Sequence, residues 1–342
     1  LVGLDVGSAS VKAIELKARN GGYELASVAL RSFDRNVDRS GAGADLASVA
    51  ESVQKVFEDS RILNPKVATS ISGPSVVVRR IVVAATNEEE LEIAVQHEAM
   101  QYMGFDLAEV SLNYYVLGPA ASVDALDVLL IAVKRDKLQG HASMLARAKK
   151  VPVVMDIDAF ALQNAFELSY EPPADQTLIL LNVGASTTNL NITRGGLPLF
   201  TRDIPLGGNA YTEALQKELN LSFEDAEKLK TGTDIPAVQP QAELPILESV
   251  SEALLREIQK AFSVFRQAAV ESIAAVYVAG GSARISGLVD MLGAEFKVPV
   301  EILDTFRKIH CDSGKFDKEF LASAGPRMAV ALGLALRSFD AA

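Results

Sequence analysis

The chain has 342 residues, 49% of them hydrophobic, enough to bury a large core and too many for one ordinary domain, so two lobes are expected. A net charge of −11 argues against non-specific nucleic-acid binding and against adsorption to anionic lipid. One cysteine, Cys311, excludes an internal disulfide and fits a reducing compartment, and His97, His141 and His310 stand too far apart for a zinc site.

Along the chain, Val2–Val6 and Val11–Leu16 are two expected strands around a small-residue turn at Gly7 to Ser10. The chain opens in this strand, so no signal peptide is expected, and the missing initiator methionine points to a few trimmed residues. Residues 1–75 are the expected base of a first lobe. A block over 76–151 then carries its own β-α-β-β-α-β pattern, completed by the strand Val151 to Ile157. In it Val76–Val83 reads as a strand, and Asn87 with Glu90 makes a capping box for a helix to about Tyr102. Val110, Leu112, Tyr114 and Val116 alternate as in a half-buried strand, Leu126 to Val133 is a continuous apolar strand, and Lys137 to Lys149 is helical. This block is expected to be a compact insertion, after which the first lobe resumes over 152–175 and ends at the linker Glu171-Pro172-Pro173.

A second lobe, 176–325, follows. Leu178–Val183, Asn189–Thr193 and Leu197–Ile204 read as a meander of strands. Helices are expected over Leu221–Thr231 and Glu248–Ile273, with Pro236, Pro240 and Pro245 in a loop between them. Within 326–342, Pro326–Ser338 is expected to be a helix crossing back to the first lobe. Its apolar run, Met328 to Leu336, falls short of the roughly 20 residues that span a membrane, so no direct membrane insertion is expected.

The chain repeats itself. Leu4-Asp5-Val6-Gly7-Ser8-Ala9-Ser10 is echoed by Leu181-Asn182-Val183-Gly184-Ala185-Ser186-Thr187, where Asn182 stands 177 positions after Asp5 and Gly184 stands 177 after Gly7. Strand, turn and strand in the same order suggest a duplicated domain with a cleft between the copies. Two unrelated glycine hairpins are the alternative.

These repeats hold the candidate chemistry. Gly7 permits a tight turn, and Ser8, Ala9 and Ser10 are small enough to present backbone N–H groups to phosphate oxygens. Lys12 can reach back to a β- or γ-phosphate, and Asp5 suits a hydrated Mg²⁺. A glycine-serine turn is commonly only a turn, and no GxxxxGK[ST] loop occurs. Asn182, Gly184, Ala185 and Thr187 would clamp the phosphates from the other side. From Val276 a strand runs into Gly280-Gly281-Ser282; the glycines let backbone approach a flat ligand, Ser282 is expected to cap the next helix, and Arg284 can cover an adenine face. A plain β-to-α turn explains these residues equally well. Glu227 and Lys230 lie three apart on a helix, ordinarily a surface ion pair worth little. Asp158, with Asp156 second, is the candidate for positioning a water; an N-cap aspartate is the competing explanation.

Taken in order, these motifs resemble the superfamily of actin, sugar kinases and heat-shock chaperones. Within it the chain resembles the PilM family of type IV pilus assembly proteins over nearly its whole length. Val2 to Ser8 with Val11-Lys12, Asp203 to Gly208 with Thr212 and Glu213, Asp225 to Lys230, Gly280 to Arg284, Phe306 to Ile309 and Ala331 to Arg337 carry this resemblance. It implies an α/β, actin-like two-lobed fold on a duplicated ribonuclease-H-like core, with the β-α-β-β-α-β insertion shared by PilM and the division protein FtsA. It implies ATP or ADP with Mg²⁺ near Asp5 and Asn182, with Gly207, Gly208, Glu227, Lys230, Gly280, Gly281, Ser282 and Arg284 among the nucleotide contacts. It further implies a cytoplasmic adaptor, working with other pilus assembly proteins. A groove beside the insertion would receive the N-terminal cytoplasmic peptide of a PilN-like protein, holding the adaptor at the inner membrane. Where relatives usually carry aspartate this chain has Asn182, so slow turnover at most is expected. Two other classes are a sugar- or acetate-kinase-like phosphotransferase, which would need a further acidic cluster, and an FtsA-like filament protein. The latter family ends in an amphipathic anchor, where this sequence stops at Ser338-Phe339-Asp340-Ala341-Ala342.

Overall fold

The computed structural model describes residues 1–33, 46–85, 87–102, 106–120, 122, 124–268 and 272–339. The tail from Asp340 lies outside them. In the first lobe β1 (Val2–Val6), β2 (Ser10–Arg19) and β3 (Gly22–Ser32) form an antiparallel meander, and α1 (Leu46–Asp59) leads into β4 (Lys66–Ile71), parallel to β1. The period-2 alternation of β2 serves two cores. Val11 and Ala13 pack with Val53, Val56 and Phe57 of α1, whereas Ile14 and Leu16 pack on the opposite face.

The chain then leaves through β5 (Val76–Ala84), α2 (Glu88–Tyr102), β6 (Val110–Pro119) and β7 (Ala125–Lys134). These make a separate antiparallel sheet, ordered β5-β7-β6, with a core that includes Ile81, Val83, Leu91, Val95, Val128 and Leu130. Asn87 Oδ1 accepts the Glu90 N–H at 2.9 Å at the start of α2. The next two elements differ from the sequence grouping. Met144 and Leu145 of α3 (Arg135–Arg147) bury with α1 in the first-lobe core, and β8 (Val151–Ile157) adds parallel to β4. The separate sheet is therefore β-α-β-β. With α2 packed on it, the apolar face of α3 finds its burial on α1.

After α4 (Asp158–Tyr170) the second lobe is built from β9 (Thr177–Val183), β10 (Thr188–Arg194), β11 (Leu197–Ile204), α5 (Gly208–Leu219), α6 (Phe223–Lys230), α7 (Leu244–Ala268), β12 (Ile273–Ala279), α8 (Leu288–Phe296) and β13 (Val300–Ile302). Its sheet is ordered β11-β10-β9-β12-β13, matching β3-β2-β1-β4-β8 of the first lobe strand for strand in parallel and antiparallel sense. The repeat in the sequence is thus a repeat of topology.

Other boundaries are corrected. Pro245 sits in the first turn of α7 rather than in a loop, because a helix's first N–H groups have no intrahelical acceptor to lose. Ile273, expected to end a helix, opens β12. The return to the first lobe begins by β14 (Ile309–His310), which pairs with β3. The last helix, α9 (Lys318–Leu336), starts at the N-cap Asp317, so Pro326 lies inside it. Pro326 has no N–H for the Ala322 carbonyl; Arg284 Nη2 donates to that carbonyl instead, at 2.6 Å.

Among the described residues α9 is the one helix long and apolar enough to cross a membrane by length and composition, contrary to the shorter run read from the sequence. Its apolar residues are taken up by the fold. Met328, Ala331, Leu332 and Ala335 pack with Ile14 and Leu25 of the first sheet, and Ala329, Val330 and Leu334 pack with Leu178 and Leu180 of the second. It crosses α4 so closely that a Cβ on Gly333 would lie 3.0 Å from Ala161 Cα and closer to its carbonyl.

Candidate functional site

The two hairpin turns are superposable in their bonding. Gly7 N–H donates to Ser10 O at 3.1 Å, and 177 positions later Gly184 N–H donates to Thr187 O at 3.0 Å. They face each other, with Ser186 N–H donating to Ser8 Oγ across the lobes at 3.2 Å. Ala9 O accepts the Phe33 N–H at 3.0 Å, which ties the first turn to the end of β3. Behind it Lys12 Nζ pairs with Asp5 Oδ2 at 2.9 Å, both side chains being almost buried. A Cβ at Gly7 would meet Lys12 Nζ at 2.9 Å, so glycine keeps the space above the lysine open.

The second turn is held from below. At the head of α5 the Gly208 N–H donates to Gly184 O at 2.9 Å and the Asn209 N–H to Ala185 O at 2.8 Å. Gly207 is required here, since a Cβ would come within 2.6 Å of Gly184 O and 2.7 Å of Ala185 O. Glu227 and Lys230 are not an ordinary surface pair. Lys230 is 4% exposed and donates to Thr212 Oγ1 at 2.8 Å and Gly208 O at 3.3 Å while pairing with Glu227. Burial pulls its ammonium pKa down, and the Glu227 charge opposes that pull.

Gly280 adopts φ +97°, and its N–H donates to Pro326 O at 2.7 Å. Gly281 is exposed at this turn. Ser282 does not cap a helix, because α8 begins only after Gly287. Its N–H donates to Val183 O at 3.0 Å and its Oγ to Gly184 O at 3.1 Å, so it joins the glycine-glycine turn to the second hairpin. Arg284 is exposed and bonded to Ala322 O rather than free to cover a base.

Of the two aspartates, Asp156 is engaged elsewhere, accepting the Ile157 N–H at 2.8 Å and pairing with Arg337 at 3.4 Å. Asp158 faces the other carboxylates. Burial pushes its pKa up to about 6; the charges of Asp5 and Asp203 add to this, and the Ser70 and Ser72 hydroxyls oppose it.

Four residues here were not singled out as site residues from the sequence. Asn189, at the register position equivalent to Lys12, accepts from Asn182 Nδ2 at 2.9 Å and donates to Asp203 Oδ1 at 2.6 Å, and Asp203 accepts the Gly73 N–H of the first lobe. His141 places Nε2 2.9 Å from Thr69 Oγ1, and burial pulls its pKa down to about 4, with Lys137 adding and Asp5 opposing. Arg327 lies along the glycine-glycine turn, where a Cβ on Gly281 would be 3.7 Å from its Nε. The 177-residue offset, extended to Lys12, would have found Asn189, and Asp203 is its cross-strand partner in the expected meander; His141 and Arg327 are joined to the site only by long-range packing.

Two short backbone turns of small residues, meeting where the lobes touch and each with a glycine whose Cβ would clash, suit a nucleotide's phosphates. Among the described residues no three acidic, histidine or cysteine side chains gather as a metal cluster. A divalent ion between Asp5 and Asn182 would therefore draw few protein ligands and need waters and phosphates, which is the habit of Mg²⁺.

Three solved structures place the fold. A chain of a PilM–PilN type IV pilus biogenesis complex is 28% identical, with TM-score 0.87, over 99% of this chain and 98% of that one. The ethanolamine utilization protein EutJ from Carboxydothermus hydrogenoformans is 17% identical, with TM-score 0.57, over 98% of this chain and 88% of that one. MreB 5 of Spiroplasma citri, bound to AMPPNP, is 14% identical, with TM-score 0.52, over 99% of this chain and 95% of that one. The architecture is therefore the actin-like ATPase fold. The family model described as type IV pilus assembly protein PilM matches residues 3–339. Spanning both lobes, the insertion and the returning helix, that match makes this chain a member of the PilM family of type IV pilus assembly proteins.

Proposed function

We propose that this protein is a nucleotide-binding adaptor of the pilus assembly complex. The cleft takes ATP or ADP with Mg²⁺, and the first lobe with its insertion takes the N-terminal cytoplasmic peptide of a PilN-like inner-membrane protein. That peptide holds the adaptor at the cytoplasmic face of the membrane. The observation that carries the reading is the 28% identity, over 99% of this chain, to a chain of a PilM–PilN complex.

For the nucleotide, support comes from the mirrored turns. Asp5, Gly7, Ser8, Ala9, Ser10 and Lys12 would hold the phosphates from one side and Asn182, Gly184, Ala185 and Thr187 from the other, with Mg²⁺ beside Asp5 and Asn182. Gly207 and Gly208 seat the second turn, and Glu227, Lys230, Gly280, Gly281 and Ser282 line the nucleoside end. Asn182 brings no charge to offset the metal's, and Asp158 is the remaining group for ordering a water. Turnover is then well below the roughly 1–100 per second of kinases.

For the peptide, support comes from a groove of about 430 Å³ between β5 and α2, where Val82 and Ile93 are exposed. Among the described residues β5 is an edge strand of its sheet, so the groove sets a sheet edge beside apolar side chains, the combination that strand addition uses. Calorimetry with the partner's N-terminal peptide and a scrambled peptide tests this reading. Selective binding that tolerates moderate salt is expected; equal affinity for both peptides, or none for either, would sink the adaptor.

A further inference from the structure

Arg327 stands beside the glycine-glycine turn without a bonded partner among the described residues. The preceding residue, Pro326, gives its carbonyl to the Gly280 N–H at 2.7 Å, which pins this turn of α9 to the glycine-glycine turn. The side chain runs along that turn, so that a Cβ on Gly281 would lie 3.7 Å from Nε and 3.9 Å from Cγ. The Glu227 carboxylate also acts on it from beyond ion-pair distance while pairing with Lys230. Burial pulls the guanidinium pKa down, and among the described residues it makes no hydrogen bond or ion pair. This half-buried planar cation has five N–H donors and no protein acceptor among the described residues, so it is available to a ligand.

We propose that Arg327 holds the base of the bound nucleotide, laying its guanidinium against the face of a purine between Gly281 and Glu227. This rests on the nucleotide reading above. The base is favoured over the phosphates because both neighbours belong to the glycine-glycine turn and to α6, whereas Lys12 serves the hairpin turns. The sequence pointed to Arg284 for this place, but that side chain is spent on the Ala322 carbonyl orphaned by Pro326. Arg327 is thus the positioning residue by which the C-terminal helix, packed into both lobes, meets the ligand.

The test is calorimetry on the full chain with Mg-ATP and with Mg-tripolyphosphate, which keeps the phosphates and lacks the base. Arg327→Gln is expected to weaken ATP about tenfold and to leave tripolyphosphate within about twofold, whereas Lys12→Ala weakens both. Arg327→Lys keeps the charge without the plane, so it too should lose ATP affinity, and it serves if the glutamine variant fails to fold. Unchanged ATP affinity in the folded variants would overturn the proposal, and so would equal loss of both ligands, which would make Arg327 a phosphate contact. Failure of the parent protein to bind either ligand would instead remove the nucleotide reading on which it stands.

Discussion

Asn182 Nδ2 donates to Asn189 Oδ1 at 2.9 Å, in the register position that Asp5 and Lys12, also 2.9 Å apart, occupy in the other lobe. The duplicated hairpin has kept its geometry and exchanged an ion pair for two amides. Asp203 sets the direction of this pair, because it accepts from Asn189 Nδ2 and so turns Oδ1 toward residue 182. In Asn182→Asp a carboxylate would face that oxygen, acceptor to acceptor. We expect a loss of about 1–3 kcal/mol of stability without ligand, and a larger recovery with Mg-ATP than the parent shows. Urea unfolding with and without Mg-ATP measures both; an equal loss in the two conditions would show that the carboxylate gains nothing from the metal.

Lys12 serves the fold as well as the proposed ligand. Its side chain is 13% exposed and that of Asp5 is 11%, so Lys12→Ala leaves an almost buried carboxylate unpaired. A stability cost of about 3–5 kcal/mol is expected, with ATP affinity reduced roughly 10- to 150-fold. The two effects separate in the double variant Asp5→Asn/Lys12→Ala. It should recover most of the stability in denaturant melts and none of the ATP affinity in calorimetry. Recovered affinity would mean that the lysine does not touch phosphate.

Two groups near the cleft pull stability in opposite directions with pH. Asp158 titrates near 6 when folded and lower when unfolded, so the folded state holds its proton more tightly. Its contribution is greatest at about pH 4 and is lost as pH rises through about 6, by up to roughly 3 kcal/mol. His141 titrates near 4 when folded and higher when unfolded. Its neutral form is the folded one, so its contribution is present above about pH 6.5 and is lost as pH falls toward 4. Relative to the parent, Asp158→Asn should therefore gain stability between about pH 4 and pH 7, and His141→Gln should gain on acidification. Urea midpoints at several pH values check the signs; parallel pH curves for parent and variants would refute them.

Gly333→Ala tests the crossing of α4 and α9. Helix propensity alone favours alanine by about 1 kcal/mol, but the added Cβ would press into the Ala161 backbone, and overpacking of this kind costs about 1–3 kcal/mol or more. Net destabilisation in chemical unfolding is expected, because backbone, unlike a flexible side chain, cannot turn aside. A stabilised variant would show that the helices can part freely at this point.

What the sequence by itself determined is local in origin. The hairpins at Gly7 and Gly184, their 177-residue offset and the capping box at Asn87 are legible because strand alternation, glycine turns and caps are decided within a few neighbouring residues. The family resemblance rests on the same short motifs in order. Tertiary structure alone decided where surfaces of equal local character find burial. It sent α3 to α1 instead of the insertion's sheet, drew β8 and β14 into the first-lobe sheet, and buried Lys230, whose spacing from Glu227 reads as a surface pair. It also reassigned Arg284 and left Arg327 open, because a proline inside α9 strands one carbonyl and the Arg284 guanidinium takes it. No pattern within either segment carries that exchange, since Arg284 and Ala322 are brought together only by the packing of α9 against the second lobe.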